Sequence, residues 1–304
     1  MNEDMIPGVV SDRINADIAQ RTADHQKDMA RLRMAQDRAA KSVMKMSVNQ
    51  PLVMLSSGDS WFDYPLVDNG PFLGQTDIIA QLQTMGASPP KILNVAHHGD
   101  ATTDAMSFPK QERMIQALAD PSNWLHGKPD AILFSGGGND VVGEKFCIYL
   151  NDRLSGAAGL NSLRFDLALG AVKASYLDLF VFRDRYAPGV PVFGHAYDFA
   201  IPNGVHPLCI AEAWLQPSLT YENWSTRDGT AIVKQALQAM RAMLAGLAAD
   251  PTNNFILVET QGLLKPGDWA NELHPTVGGF KTMATTFLAA LAKRFPGRAE
   301  PLTV

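Results

Sequence analysis

The sequence contains little cysteine and no concentrated positive charge. Among its 304 residues only Cys147 and Cys209 are cysteines, which is too few for a disulfide framework, and their spacing is not typical of metal ligands. We therefore expect two small apolar core residues and no metal site. The formal net charge is −5, and no block of Lys and Arg is present. A nucleic-acid partner is therefore not expected.

Long apolar segments are also absent. The sequence has no run of about 18 apolar residues, the length that a membrane-spanning helix needs. The first residues, Met1 to Asp4, are acidic, and no apolar core of a secretory signal peptide follows them. We therefore expect a cytoplasmic protein without a membrane span. With 46% hydrophobic and 19% charged residues, the chain is expected to bury one large core.

The first part of the chain has the composition of a long polar helix. From about Ile14 to Met46 it lacks Gly and Pro, and its apolar residues form only a partial stripe. Two interpretations are open: a helix that lies across the domain surface, or an arm through which the protein forms a homo-oligomer. We assign residues 1–49 to an N-terminal helical extension and residues 50–304 to the main domain.

After Pro51, short apolar runs alternate with helical patterns. Apolar runs without polar alternation indicate strands buried on both faces, and helical spacers indicate crossover connections. The sequence therefore predicts an α/β, flavodoxin-like three-layer sandwich with a parallel sheet of about five strands. The predicted strands are Leu52–Leu55, Ile92–Val95, Ala131–Phe134, Val190–Phe193 and Phe255–Val258, and the predicted helices lie near residues 77–85, 104–119, 160–186, 230–249 and 279–294.

Residues with catalytic potential lie just beyond these strands. Ser60 follows the first predicted strand, Gly99 the second and Asn139 the third, while His274 precedes the last predicted helix. In parallel sheets, ligands bind outside the carboxyl ends of the strands. We therefore expect these four residues to lie together at one edge of the sheet.

The same residues resemble the motifs of the SGNH (GDSL-type) hydrolase family, in the family's order, between residues 52 and 294. Gly58-Asp59-Ser60 is similar to the first motif, whose serine is the nucleophile, and Gly99 fits the second, which contributes a backbone N–H. The third motif is matched by Gly137-Gly138-Asn139-Asp140, whose Asn donates through its side-chain amide, and His274 matches the catalytic base of the last. The resemblance implies a serine esterase or lipase that uses no metal and no organic cofactor.

The chemistry implied by this resemblance is nucleophilic. A serine hydroxyl attacks a carbonyl only if a base removes its proton, and histidine is suited to this near neutral pH. His274 would be that base, and attack by Ser60 would form an acyl-enzyme. The backbone N–H groups of Ser60 and Gly99 and the amide of Asn139 would form the oxyanion hole.

One position departs from the family pattern. The family carries Asp three residues before the catalytic histidine, and this chain has Asn271 there. An aspartate both orients the imidazole and stabilises the imidazolium, whereas a neutral amide only orients it. Three arrangements stay open: Asn271 as the third member, a Ser-His dyad oriented by a backbone carbonyl, or Asp268 as the carboxylate. The primary hypothesis is an active esterase, and the alternative is a binding module that has lost turnover.

Several aromatic residues are candidates for substrate binding. Trp61 lies beside the nucleophile, His195 follows the fourth predicted strand, and Trp214 and Trp224 lie in the stretch 201–228, which has little helix or strand periodicity. A long loop at the functional edge is a common place for a specificity wall. Aromatic side chains there would line an acyl pocket or stack on sugar rings, so the expected substrate is a small-molecule, lipid or acylated-sugar ester.

Overall fold

Five parallel strands form one sheet in the computed structural model, which describes residues 7–41, 50–65, 76–207 and 212–299. The strands are β1 (Val53–Gly58), β2 (Lys91–Asn94), β3 (Ala131–Ser135), β4 (Val192–His195) and β5 (Phe255–Val258). They lie in the order β2-β1-β3-β4-β5, with every neighbouring pair parallel. This is the flavodoxin-like order, and it confirms the predicted fold class.

Helices cover both faces of the sheet. Within the described residues they are α1 (Pro7–Lys41), α2 (Ile78–Leu82), α3 (Thr102–Ala105), α4 (Phe108–Ala119), α5 (Gly138–Val141), α6 (Ser162–Tyr186), α7 (Gln216–Tyr221), α8 (Thr226–Ala249) and α9 (Val277–Arg294). Short 3₁₀ turns cover residues 121–123, 144–149, 153–155, 251–253 and 266–268. Helix α2 packs against α9, while α6 packs against α3, α4 and α8. Crossovers between parallel strands are right-handed as a rule, and the strand order reverses direction at β1, so helices are expected on both faces.

Three of the strands begin with apolar residues and carry polar residues toward their carboxyl ends. Every residue of β1, β3 and β4 is buried, as expected for strands covered by helices on both faces. The polar members of these strands come last, with Ser56 and Ser57 in β1, Ser135 in β3 and His195 in β4. The sheet therefore brings buried hydrogen-bonding groups to one edge.

Helix α1 lies across the domain, as in the first of the two interpretations. Ile18 and Met29 are buried in the core, the helix contacts the edge strand β2, and Asp28 accepts a hydrogen bond from Lys91 of that strand at 2.8 Å. A helix along an edge strand shields it from pairing with other chains. Oligomer formation through α1 and the domain boundary near residue 49 stay predictions.

Some boundaries differ from the predictions. Helix α1 begins at Pro7, because proline is well tolerated in a first helical turn, and the predicted residues 42–46 lie outside the described part. The predicted helix 104–119 is two helices, since Pro109 lies in the first turn of α4 and could not lie inside a continuous helix. The predicted irregular stretch 201–228 contains α7 and the start of α8. Cys147 is only partly buried, and Cys209 is outside the described residues.

Candidate active site

Ser60 and His274 meet at the carboxyl edge of the sheet. Ser60 Oγ lies 2.7 Å from His274 Nε2, although the two residues are 214 positions apart in sequence. Ser60 is placed by the turn after β1, where Gly58 has φ +137° and a Cβ would lie 2.1 Å from the carbonyl oxygen of Ser135. Only glycine fits a backbone that passes so close to its neighbour strand. The turn thus presents the serine hydroxyl directly to the imidazole.

Asn271 orients the other side of the imidazole. Its Oδ1 lies 3.0 Å from His274 Nδ1 and also accepts the backbone N–H groups of Leu273 and His274 at 3.0 and 2.9 Å. These two N–H donors identify this atom as the amide oxygen, and an amide oxygen only accepts. Nδ1 therefore carries the proton, which leaves Nε2 as the acceptor for the serine hydroxyl. This is the tautomer that a general base requires.

Tyr64 contacts both Asn271 and the imidazole of His274, whereas Asp268 binds the backbone elsewhere. Asn271 Nδ2 donates to the Tyr64 hydroxyl at 3.0 Å, and the Tyr64 ring lies against the imidazole with ring centres 4.6 Å apart. The Asp268 carboxylate instead accepts the backbone N–H of Lys265 at 2.8 Å. Of the three arrangements that the sequence left open, the structure brings Asn271 to the imidazole.

Glu272, which the sequence reasoning did not single out, organises the backbone beside His274. Its buried carboxylate accepts four backbone N–H groups, from Gly204, Trp214, Leu215 and Gln216, at 2.7 to 3.1 Å. It thereby fixes the segment 214–216 to the catalytic loop, and the Trp214 ring packs edge-on to His274. No sequence motif signals this contact, because its donors are backbone groups that almost every residue carries.

Asn139 is placed to donate into the same site. It lies in the first turn of α5 and lines one cavity together with Ser60 and His274. Its Nδ2 donates one hydrogen to the carbonyl oxygen of Asp100 at 3.0 Å. A primary amide has two N–H donors, and donation of the second to a substrate oxygen stays a prediction.

Gly99 directly precedes Asp100, whose carbonyl oxygen accepts the hydrogen bond from Asn139. It has φ +82°, and an added Cβ would meet nothing within 4 Å. Glycine is therefore favoured at this position by the left-handed backbone conformation and not by a close packing contact. Gly99 is not among the residues that line the cavity, and its role as an oxyanion donor stays a prediction.

The cavity beside Ser60 is mainly apolar. Its polar lining residues include Asp59, Ser60, Asn139, Asp198 and His274. The remaining wall is built largely by α8 and by the residues after α5, with Val141, Val142, Phe146, Ala200, Leu215, Val233, Ala236, Leu237, Met240 and Leu273 among its lining side chains. Such a lining favours an apolar group over a sugar, because a sugar's hydroxyl groups would lose hydrogen bonds to water there.

The predicted substrate-binding residues occupy different positions. Trp61 lines the cavity, and Trp214 contacts the His274 ring. His195 is completely buried beneath the site. Trp224 is not among the cavity-lining residues, because its indole N–H donates to the carbonyl of Asn151 at 2.7 Å. Substrate contact by these four residues stays a prediction.

A buried hydrogen-bond network lies beneath the nucleophile. Asp59 Oδ1 accepts the hydroxyl of Ser135 at 2.7 Å and the backbone N–H of Trp61 at 3.0 Å, and Asp59 Oδ2 accepts the Tyr197 hydroxyl. Burial raises the pKa of the Asp59 carboxyl to about 6, although the bonds from Tyr197, Ser135 and Trp61 act in the opposite direction. At neutral pH Asp59 is thus an ionised acceptor with three donors.

His195 continues this network as a neutral ring. Its Nδ1 accepts the backbone N–H of Tyr197 at 3.2 Å, so Nε2 carries the proton and donates to Ser135 Oγ at 2.9 Å. Burial lowers the pKa of His195 to about 3, which agrees with the neutral state. His195 therefore supports the site from below and does not act as a second base.

The described ranges hold no group of three or more His, Cys, Asp or Glu side chains that could bind a metal ion. None of the helices in these ranges is long and apolar enough to cross a bilayer.

Comparison with known proteins identifies the fold. No protein-family model matches this sequence, and no curated protein sequence matches it. Among solved structures, the lipase Lip_vut3 from a goat rumen metagenome has a TM-score of 0.52 at 15% identity and covers 79% of this chain and 97% of its own. An extracellular lipase from Streptomyces rimosus has a TM-score of 0.50 at 16% identity and covers 78% of this chain and 98% of its own. With the sheet described above, these likenesses show that this chain shares the fold of these two lipases.

Proposed function

We propose that this protein is a serine esterase that hydrolyses carboxylic esters through an acyl-enzyme on Ser60. The observation that carries the proposal is the hydrogen-bond chain from Ser60 Oγ to His274 Nε2 and from His274 Nδ1 to Asn271 Oδ1. Nucleophilic catalysis requires a hydroxyl, a base and a group that orients the base, each within hydrogen-bond reach of the next. The two lipases with the same fold add support.

The reaction follows from this geometry. His274 Nε2 takes the proton of Ser60 as Oγ bonds to the ester carbonyl carbon, and the carbonyl oxygen becomes an oxyanion. The Ser60 and Gly99 N–H groups and the Asn139 amide would stabilise this charge. The ester bond then breaks, and the alcohol leaves with the proton from His274. A water molecule, deprotonated by His274, hydrolyses the acyl-enzyme in the same way and regenerates Ser60.

The mainly apolar lining of the cavity supports a substrate with an apolar acyl group. Ser60, Asn139 and His274 line the cavity together with Val233, Leu237, Met240 and other apolar side chains. Burying one methylene there contributes about 0.8 kcal/mol. We therefore infer that alkyl esters are preferred over acetylated sugars.

An alkyl fluorophosphonate tests both parts of the proposal. In the wild type, Ser60 should displace fluoride from the reagent and carry one phosphonyl group, seen by mass spectrometry. Ser60→Ala should stay unlabelled. The alkyl reagent should react about tenfold faster than a polyether reagent of equal length, since two buried methylenes contribute about 1.6 kcal/mol.

The control for this experiment is Ser57→Ala, which removes a neighbouring buried serine of β1 and should be labelled normally. A folded wild type that stays unlabelled would refute the serine mechanism. Equal rates with both reagents would refute the apolar acyl preference alone.

A binding module without turnover is the second candidate, because the neutral Asn271 stands where the resembled family has a carboxylate. The variant Asn271→Asp separates the two. We expect kcat to change less than about tenfold, since Oδ1 already holds His274 in the required tautomer. In a well-studied triad the reverse substitution costs about 10⁴ in rate. A gain of that order from a near-zero wild-type rate, measured with p-nitrophenyl esters, would establish a lapsed enzyme.

A further inference from the structure

The Tyr197 side chain joins the two loops that carry the reacting groups. Its hydroxyl donates to Asp59 Oδ2, in the residue before Ser60, and accepts the backbone N–H of Gly138 at 2.9 Å. Gly138 directly precedes Asn139. One buried hydroxyl therefore connects the nucleophile turn to the turn that presents the side-chain oxyanion donor.

The backbone of Tyr197 has an uncommon conformation for an aromatic residue. Its φ is +58°, in the left-handed region that bulky side chains rarely adopt. The N–H of the same residue donates to His195 Nδ1 at 3.2 Å. Such outliers persist where surrounding contacts enforce them, and they are concentrated at functional sites. Here the conformation directs the ring from the end of β4 toward Asp59.

The ring also packs directly on the backbone that it holds. A Cβ added to Gly138 would lie 3.0 Å from Tyr197 Cζ, so this approach depends on glycine in the Gly137-Gly138-Asn139-Asp140 motif. The Trp61 ring lies against Tyr197 on the other side, with ring centres 5.2 Å apart. The hydroxyl has little freedom to move between its two partners.

We propose that Tyr197 is a positioning residue that sets the Asn139 amide relative to Ser60. The Asn139 side chain is anchored to Asp100 at 3.0 Å, and the bond from Gly138 to Tyr197 fixes the backbone from which it projects. Without the hydroxyl, Gly138 N–H and Asp59 Oδ2 both lose a partner inside the protein, and the turn is no longer tied to the nucleophile. The inference rests on the proposed function.

The variant Tyr197→Phe tests this inference. We expect kcat to fall about 10- to 100-fold with KM unchanged within about twofold, because a displaced donor weakens only the transition state. In the Asn139→Ala background the same substitution should lower kcat less than about threefold, because its effect acts through Asn139. An undiminished effect in that background, or a kcat for Tyr197→Phe within threefold of wild type, would overturn the proposal.

Tyr176→Phe is the matched control, since it removes a buried tyrosine hydroxyl that donates to the carbonyl of Gly136 at 3.1 Å without contacting Asp59. It should lower kcat less than about threefold. A loss equal to that of Tyr197→Phe would point to general loosening and overturn the specific role.

A second measurement needs no turnover. The Asn139 side-chain amide resonance, assigned by its loss in Asn139→Ala, should shift in Tyr197→Phe and stay in place in Tyr176→Phe. An unchanged resonance in Tyr197→Phe would refute the positioning role even if the wild type were inactive, whereas an inactive wild type with the expected shift would refute only the proposed esterase function.

Discussion

Replacing His274 by alanine is expected to lower kcat by about 10⁶-fold, the order seen when a serine hydrolase loses its base. His274 Nε2 lies 2.7 Å from Ser60 Oγ, and the serine hydroxyl is a poor nucleophile without a base to take its proton. The residual rate would come from oxyanion stabilisation and binding alone. Initial rates with p-nitrophenyl butyrate at saturating concentration measure this loss.

The control for this variant is His126→Ala, which removes an exposed histidine that contacts Gln50 at 3.1 Å and should keep full activity. Circular dichroism should show that the His274→Ala protein is folded. A folded variant that retains more than a tenth of the wild-type rate would mean that another group takes the serine proton, and the mechanism proposed for His274 would then be incorrect.

The second large effect is expected for Asn139→Ala, with kcat about 10²- to 10³-fold lower and KM nearly unchanged. The Asn139 amide lines the cavity with Ser60 and His274, and one lost oxyanion donor typically raises the barrier by about 2.7 to 4 kcal/mol. KM should change little because the ground-state carbonyl carries less charge than the oxyanion.

Inhibition by an alkyl boronic acid, which forms a tetrahedral adduct with Ser60, checks the same point. Its affinity for Asn139→Ala should fall in parallel with kcat/KM. The matched control is Asn223→Ala, which removes an exposed amide that binds Asp152 at 2.7 Å. If Asn139→Ala lost binding of ground-state substrate instead of kcat, Asn139 would be a substrate-binding residue rather than an oxyanion donor.

The fold was predictable from the sequence because the buried strands are visible as apolar runs. The runs at Ala131 and Phe255 begin where β3 and β5 begin, since strands covered on both faces leave no polar residue in their interior. Parallel pairing then requires the carboxyl ends to meet, which brings Ser60 to the edge where Asn139 lies. Helix boundaries were less accurate, because a proline such as Pro109 permits more than one helix start.

The contacts that organise the site were not predictable in the same way. Which group holds His274 Nδ1 depends on the path of the loop before it, so the sequence left Asn271, a backbone carbonyl and Asp268 as alternatives. Tyr197 and Glu272 act through backbone N–H groups, which no residue pattern encodes. Trp224 resembles a pocket residue by composition alone, whereas its indole N–H is bonded to the carbonyl of Asn151.

The Glu272 carboxylate holds the segment 214–216 without using the side chains of that segment. It is held by the N–H groups of Gly204, Trp214, Leu215 and Gln216, and any amino acid except proline supplies such a group. The anchor therefore does not depend on which side chains stand at 214–216, although Trp214 packs against His274 and Leu215 lines the cavity. If the proposed esterase function holds, a substitution at Leu215 would reshape the cavity wall while the Glu272 anchor, two residues before the imidazole, stays in place.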